Sequence, residues 1–311
     1  MILPSTFDMR ATILIVDTAR SWQGWLLAEA FRACFVRLGF ETDIVNNVDR
    51  SCGKGILFVM SCKSLSGLGN RRWDGPIILY NVAEAYIFPA RWKRCMENCC
   101  GGERHLDFIF DYSPMNKEKF SAWGYRVIFV PVGYHQMFEK PLTGEPIYDL
   151  SFLGGGQWGK ARRLPLFDRL KREPGLKFFH NDCRARHGYW RDNQTNGVWN
   201  NEAISTKIFL HTRRMGDKRS NFASLRIVML GMANRLCMLA ERSDWLPECF
   251  DHGKNILIYE KDDYDGLVAL ARTYIESDDW RRVGNAGYET IVDGYRLFDH
   301  LQEGLQEAKL L

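Results

Sequence analysis

Residues 149–166 read DLSFLGGGQWGKARRLPL. The opening run, Asp149 to Leu153, is short and largely apolar, as a strand buried on both faces of a parallel sheet must be. Three glycines follow, Gly154, Gly155 and Gly156, and then Lys160, Arg162 and Arg163 open a stretch with helical spacing. Strand, glycine loop and helix in that order begin a β-α-β unit, whose strand ends face a ligand. Glycines let backbone approach a bound group closely, and cations there neutralise an anion. A tight turn leading into a solvated basic helix fits the same letters.

The pattern repeats on both sides. Downstream, GLKFFHND, STKIFLHTR, LCMLAE and KNILIYEKD read as strands. The segments ARRLPLFDRLKRE, SLRIVMLGMANR, DYDGLVALARTYIES and DDWRRVGNAGYETIVDGYRL read as helices between and after them. Upstream, ATILIVD, ETDIV, KGILFVMS, GPIILYN, LDFIFDYS and YRVIFVPVGY are buried strands. GWLLAEAFRACFVRLGF is a helix that stops at Gly39. Residues 131–149, PVGYHQMFEKPLTGEPIYD, lose periodicity and gain Pro and Gly, as an interdomain linker does. The expected architecture is α/β, two Rossmann-like doubly wound domains facing across a cleft. Residues 1–135 form the first, 136–148 the linker and 149–290 the second, and a C-terminal helix over 291–311 can pack back on the first domain.

The chain has 311 residues, 46% hydrophobic and 26% charged, which is enough for two domains with real cores and typical of soluble proteins. No apolar run approaches the roughly 18 residues of a membrane span, and the N-terminus reads as a lead-in to a strand, not as a signal peptide. The nine cysteines are scattered and odd in number. That favours a reduced, cytoplasmic protein over a disulfide scaffold. CMENCC, with Cys95, Cys99 and Cys100, lacks a second spaced pair, so free thiols are preferred to zinc. A net charge of +4 permits a polyanionic partner without requiring one.

From Asp149 onward the order of pieces is distinctive. DLSFLGGGQWGKARR is followed by FLHTRRMGDKRSNFASLRIVMLGMANRLCMLAE and by WLPECFDHGKNILIYEKDDYDGLVALARTYIESDDWRRVGNAGYETI. This half resembles the donor-binding domain of GT-B glycosyltransferases, in particular the CgeB-like branch of the group 1 families. The linker entry VPVGYH is similar as well. The resemblance implies transfer of a sugar from a nucleotide sugar, UDP- or GDP-linked, held mainly by the second domain. The acceptor would lie mainly on the first.

On the residues, the donor site would join Gly154, Gly155 and Gly156 with the cations Lys160, Arg162, Arg163 and Arg219. Ser224 and Leu225 would start a helix aimed at the diphosphate. Glu241, ending LCMLAE, is either a ribose-diol acceptor or a loop acid. No DxD pair is placed for a metal, and no cofactor beyond the nucleotide sugar is implied. One departure stands out. The retaining group usually carries two glutamates eight positions apart, and the second falls at Met229, which cannot hydrogen-bond a ribose hydroxyl as a carboxylate does.

Three carboxylates near strand ends, Asp17, Glu84 and Asp111, are candidates for deprotonating the acceptor, or else caps and turn acids. His135 and His180 could touch phosphate or sugar, though each is more often structural. Arginines beside aromatics, around Trp22, Trp73, Arg91 and Trp92, are candidates for the acceptor. The Lys- and Arg-rich segment 156–191 adds Trp158, Tyr189 and Trp190. Such a surface suits DNA, and a hydroxymethylated base is one acceptor hydroxyl it can offer. A glycan, a lipid or a small molecule is the alternative acceptor. A non-catalytic nucleotide-sugar or nucleic-acid binding module is the alternative of another class. No amphipathic basic helix argues for membrane docking.

Overall fold

The computed structural model describes residues 9–15, 22–46, 54–60, 64, 73–81, 106–140, 144–153, 160–181, 204–213 and 222–311. The chain divides into two compact units, Met1–Val132 with Leu297–Leu311, and Gly133–Arg296.

The first unit is a six-stranded parallel sheet in the order β2-β1-β3-β4-β5-β6. Its strands are β1 (Arg10–Leu14), β2 (Glu41–Val45), β3 (Ile56–Met60), β4 (Ile77–Asn81), β5 (Phe108–Asp111) and β6 (Val127–Phe129). Every residue of β3 is buried, as expected of a strand covered on both faces. Helix α1 (Trp22–Arg37) connects β1 to β2, and α2 (Pro114–Ala122) connects β5 to β6. Phe31 of α1 meets Tyr80 of β4 edge-on at 4.5 Å between ring centres, and Phe58 of β3 packs beside both.

The second unit holds five parallel strands: β7 (Tyr148–Leu153), β8 (Phe178–Asn181), β9 (Thr206–His211), β10 (Cys237–Glu241) and β11 (Leu257–Tyr259). Their order is β11-β10-β9-β7-β8. Helix α3 (Lys160–Arg172) links β7 to β8, while α4 (Tyr264–Glu276) and α5 (Trp280–Gly294) follow β11. Asp263 caps α4 by accepting from the Gly266 N–H at 2.9 Å, and Leu267, Val268 and Ala271 turn its buried stripe inward. Because β8 and β9 flank β7 on opposite sides, the carboxyl ends of β7 and β9 form the switch point of this sheet, where open α/β folds bind ligands.

Two expected helices differ from a plain α-helix. SLRIVMLGMANR is one short α turn, Ser224–Arg226, then a π-helical stretch, Ile227–Gly231, then a 3₁₀ turn, Met232–Asn234. A Cβ on Gly231 would lie 1.8 Å from the Met238 sulfur, so the glycine leaves the space that the Met238 side chain of β10 fills. The stretch DDWRRVGNAGYETIVDGYRL stops at Gly294, and Tyr295 instead accepts from the Tyr134 N–H at 2.7 Å. Helix α6 (Leu297–Glu307) then returns to the first unit. Leu297, Leu301 and Leu305 bury its inner face, and Gly304 lets it come down on Val130 and Phe110. Among the described residues no helix is long and apolar enough to cross a membrane.

Candidate functional site

Strand β10 ends on Glu241, whose side chain is wholly buried at the carboxyl edge of the second sheet. Five donors converge on its two oxygens. Arg162 gives Nη2 to Oε1 at 2.6 Å and Nη1 to Oε2 at 2.7 Å. Arg213 gives its backbone N–H at 2.9 Å and Nε at 3.0 Å, and Thr212 gives Oγ1–H at 3.1 Å. Burial alone would raise the Glu241 carboxyl, but the bonds from Arg162 and the Arg213 N–H outweigh it and hold the group below its ordinary range. A carboxylate so occupied has no lone pair open to a ribose diol. The expected ribose role therefore gives way to another: Glu241 anchors two arginines.

The two arginines of α3 serve the same strand end. Arg162 Nε also meets Asp262 Oδ1 at 2.6 Å, and its Nη1 reaches the Arg213 carbonyl at 3.2 Å. Asp262 takes this position in the left-handed region, at φ 62°. Arg163 is buried, donating Nη2 to the Thr212 carbonyl at 2.6 Å and Nε to the Arg213 carbonyl at 3.3 Å. Both guanidinium groups, expected to meet a diphosphate, are thus engaged by protein acceptors and fix the backbone of Thr212 and Arg213. Arg213 was not singled out from the sequence. Its position directly after a strand at the switch point, in FLHTRR, was the available signal.

Beside this cluster lies a shallow hollow that opens to solvent. Phe222, Ile227, Leu246 and Ile258 give it apolar walls, and His211 and Ser243 contribute polar edges. The His211 ring is buried, and its Nδ1 has no partner among the described residues. Burial first, and then the positive charges of Arg226, Arg163 and Arg213, push its pKa well below the usual value, so it is neutral. The start of the irregular helix offers fewer amides than expected: the N–H groups of Ser224, Arg226 and Ile227 go to the carbonyls of Phe222 and Ala223. Leu225 is half-buried there, and the fully buried Ser224 hydroxyl has no partner among the described residues. Met229 is wholly buried.

The other expected positions fall as follows. Asp17, Glu84, Arg91, Trp92, Gly154, Gly155, Gly156 and Arg219 lie outside the described residues, as do the side chains of Trp22 and Lys160, which open α1 and α3. Trp73 donates its indole N–H to the Gly55 carbonyl at 2.8 Å and packs on the first unit's core, so its polar edge is spent on the fold. Asp111 is fully buried and accepts from Asn81 at 2.6 Å, from the Ser113 N–H at 2.8 Å and from Asn116 at 3.0 Å. Burial pushes its carboxyl up to about 7 against the pull of these donors. Those contacts close the turn into α2, and they leave no oxygen facing an acceptor hydroxyl. His135 accepts from the Met137 N–H, and the His180 ring lies 4.4 Å from that of Phe167; both are parts of the scaffold.

The arrangement joins an apolar pocket to a strand end held by guanidinium groups, which is what a nucleotide carrying phosphates requires. Residues 162–305, just under half of the chain, match the family model described as glycosyl transferase-like. No curated protein matches the chain in sequence. Among solved structures, sucrose-phosphate synthase from Thermosynechococcus elongatus is similar at 10% identity and TM-score 0.60, over 97% of this chain and 98% of that one. HepE of Anabaena, solved in complex with UDP-glucose, is similar at 11% identity and TM-score 0.62, over 97% and 100%. A glycosyltransferase from Rickettsia africae matches at 10% identity and TM-score 0.56, over 96% and 97%.

Proposed function

We propose that this chain is a GT-B glycosyltransferase that moves a sugar from a UDP-linked donor to an acceptor hydroxyl without a metal ion, a reading supported by its glycosyl transferase-like match and its fold. The observation that carries the reading is the apolar pocket beside the pinned Thr212–Arg213 strand end, at the switch point of the second unit. The UDP-glucose complex of HepE supports the choice of donor. In the reaction the bond from the anomeric carbon to the phosphate oxygen breaks, and its electron pair leaves with the nucleoside diphosphate. The acceptor oxygen forms the new bond and gives up its proton to a base, for which Asp17 and Glu84 are the open candidates. Charge growing on the departing diphosphate is neutralised by preset guanidinium donors. A thermal-shift panel of nucleotide sugars tests this. A ligand present at 100 times its dissociation constant adds about 2.7 kcal/mol of stability. UDP-sugars should raise Tm and do so equally in EDTA. No shift with any nucleotide sugar would end the reading.

For the acceptor we favour DNA bearing a hydroxymethylated base, on the excess of Lys and Arg with interleaved aromatics over 156–191. Anisotropy with labelled duplex should show binding that weakens steeply with salt. Nucleotide release should quicken when the duplex carries hydroxymethylated bases. Undetectable binding even at low salt would leave a glycan, lipid or small molecule as the acceptor.

A further inference from the structure

We propose that Arg213 is the residue that grips the diphosphate of the donor and that Glu241 is the positioning residue that aims it; this rests on the nucleotide-sugar reading above. Each nitrogen of the Arg162 guanidinium already has a protein acceptor: Nε has Asp262, Nη1 has Glu241 and the Arg213 carbonyl, and Nη2 has Glu241. Arg163 is buried and spends Nε and Nη2 on main-chain carbonyls. Arg213 is different. Its Nε is fixed on Glu241, while Nη1 and Nη2 have no partner among the described residues. Two amino groups on one planar face form the fork that matches two phosphate oxygens.

The residue is also held rigidly from every side. Its N–H is on Glu241, its carbonyl takes donors from Arg162 and Arg163, and the carbonyl before it takes Arg163. The direction of the fork is therefore set before any ligand arrives, and little entropy is lost on binding. Arg213 follows His211, which lines the pocket, by two residues, so a base in that pocket leaves its phosphates within reach of the same strand end. An arginine carrying a bidentate anion is worth more than a lysine at the same place, because an ammonium cannot offer two parallel bonds.

The test measures UDP and uridine binding to the full chain by calorimetry and ligand-observed NMR, for the native protein, Arg213→Lys and Glu241→Gln. UDP should weaken tenfold or more in Arg213→Lys and by a smaller factor in Glu241→Gln, with uridine unchanged in both. A purely structural role for Glu241 would weaken the two ligands alike and overturn its part. Equal UDP affinity in the native protein and Arg213→Lys overturns the assignment of Arg213 alone. A native protein that binds neither UDP nor GDP overturns the donor reading with it. Phenylglyoxal labelling of the native protein, read by mass spectrometry, needs no variant. Arg213 should react, and UDP should protect it. An Arg213 that is unreactive without UDP, or equally reactive with it bound, overturns the proposal.

Discussion

Across 79 residues of sequence, the two terminal amino groups of Arg162 sit on the two carboxylate oxygens of Glu241, at 2.7 and 2.6 Å. This pair ties the first turn of α3 to the end of β10 and, through Arg213, to the end of β9. Three segments that border the switch point are thereby locked to one buried charge. Removing that charge takes the shared carboxylate from two guanidinium groups. Glu241→Ala should cost about 3 kcal/mol in urea unfolding, the lower end for a broken buried pair because Arg162 keeps Asp262.

Arg163 carries two hydrogen bonds to carbonyls and lies over the Phe152 ring, 5.3 Å from its centre. Arg163→Met keeps the bulk and loses the donors. A destabilisation of about 2 kcal/mol is expected, since the Thr212 carbonyl is left buried without its charged partner. Urea midpoints of the two proteins give the comparison.

His300 bonds the Pro131 carbonyl through Nδ1 at 3.1 Å, and burial drives its pKa down to about 4 against that bond. Its folded value lies below the unfolded one, near 6.5. The stability it contributes is therefore full above pH 6.5 and is lost as pH falls toward 4. Relative to His300→Asn, the native chain should lose ~3 kcal/mol across that window. Parallel unfolding curves at pH 7, 5.5 and 4 measure it.

A Cβ at Gly284 would stand 2.3 Å from the Arg235 carbonyl oxygen, where backbone cannot yield cheaply, whereas one at Gly294 meets nothing. Gly284→Ala should destabilise by about 1–3 kcal/mol despite its better helix propensity. Gly294→Ala should be close to neutral. Thermal melts of both variants separate the packing cost from the propensity gain.

Much of the fold was open to reading from the letters. Strands such as Ile56–Met60 are continuous apolar runs because parallel strands are covered on both faces, and α4 announces itself by its Asp263 cap and apolar stripe. The irregular helix did not, because IVMLGMA is apolar all round and carries no local pattern that marks its winding. At the site, the sequence located Arg162, Arg163 and Glu241 without revealing their duty. A carboxylate and an arginine far apart in the chain look the same whether they bind a ligand or one another, and the choice belongs to tertiary contact. Arg213 was hidden among neighbouring cations for the same reason. The break at Tyr295 rests on its carbonyl's bond to Tyr134, equally invisible along the chain.

The last helix has a consequence for how the protein is made. Leu297, Leu301 and Leu305 complete a core whose other walls are built before residue 132. A ribosome therefore synthesises the first sheet early and supplies its cover only after the whole second unit has emerged. During that interval Val130 and Phe110 lack the helix that rests on them, and apolar surface left open in this way favours aggregation.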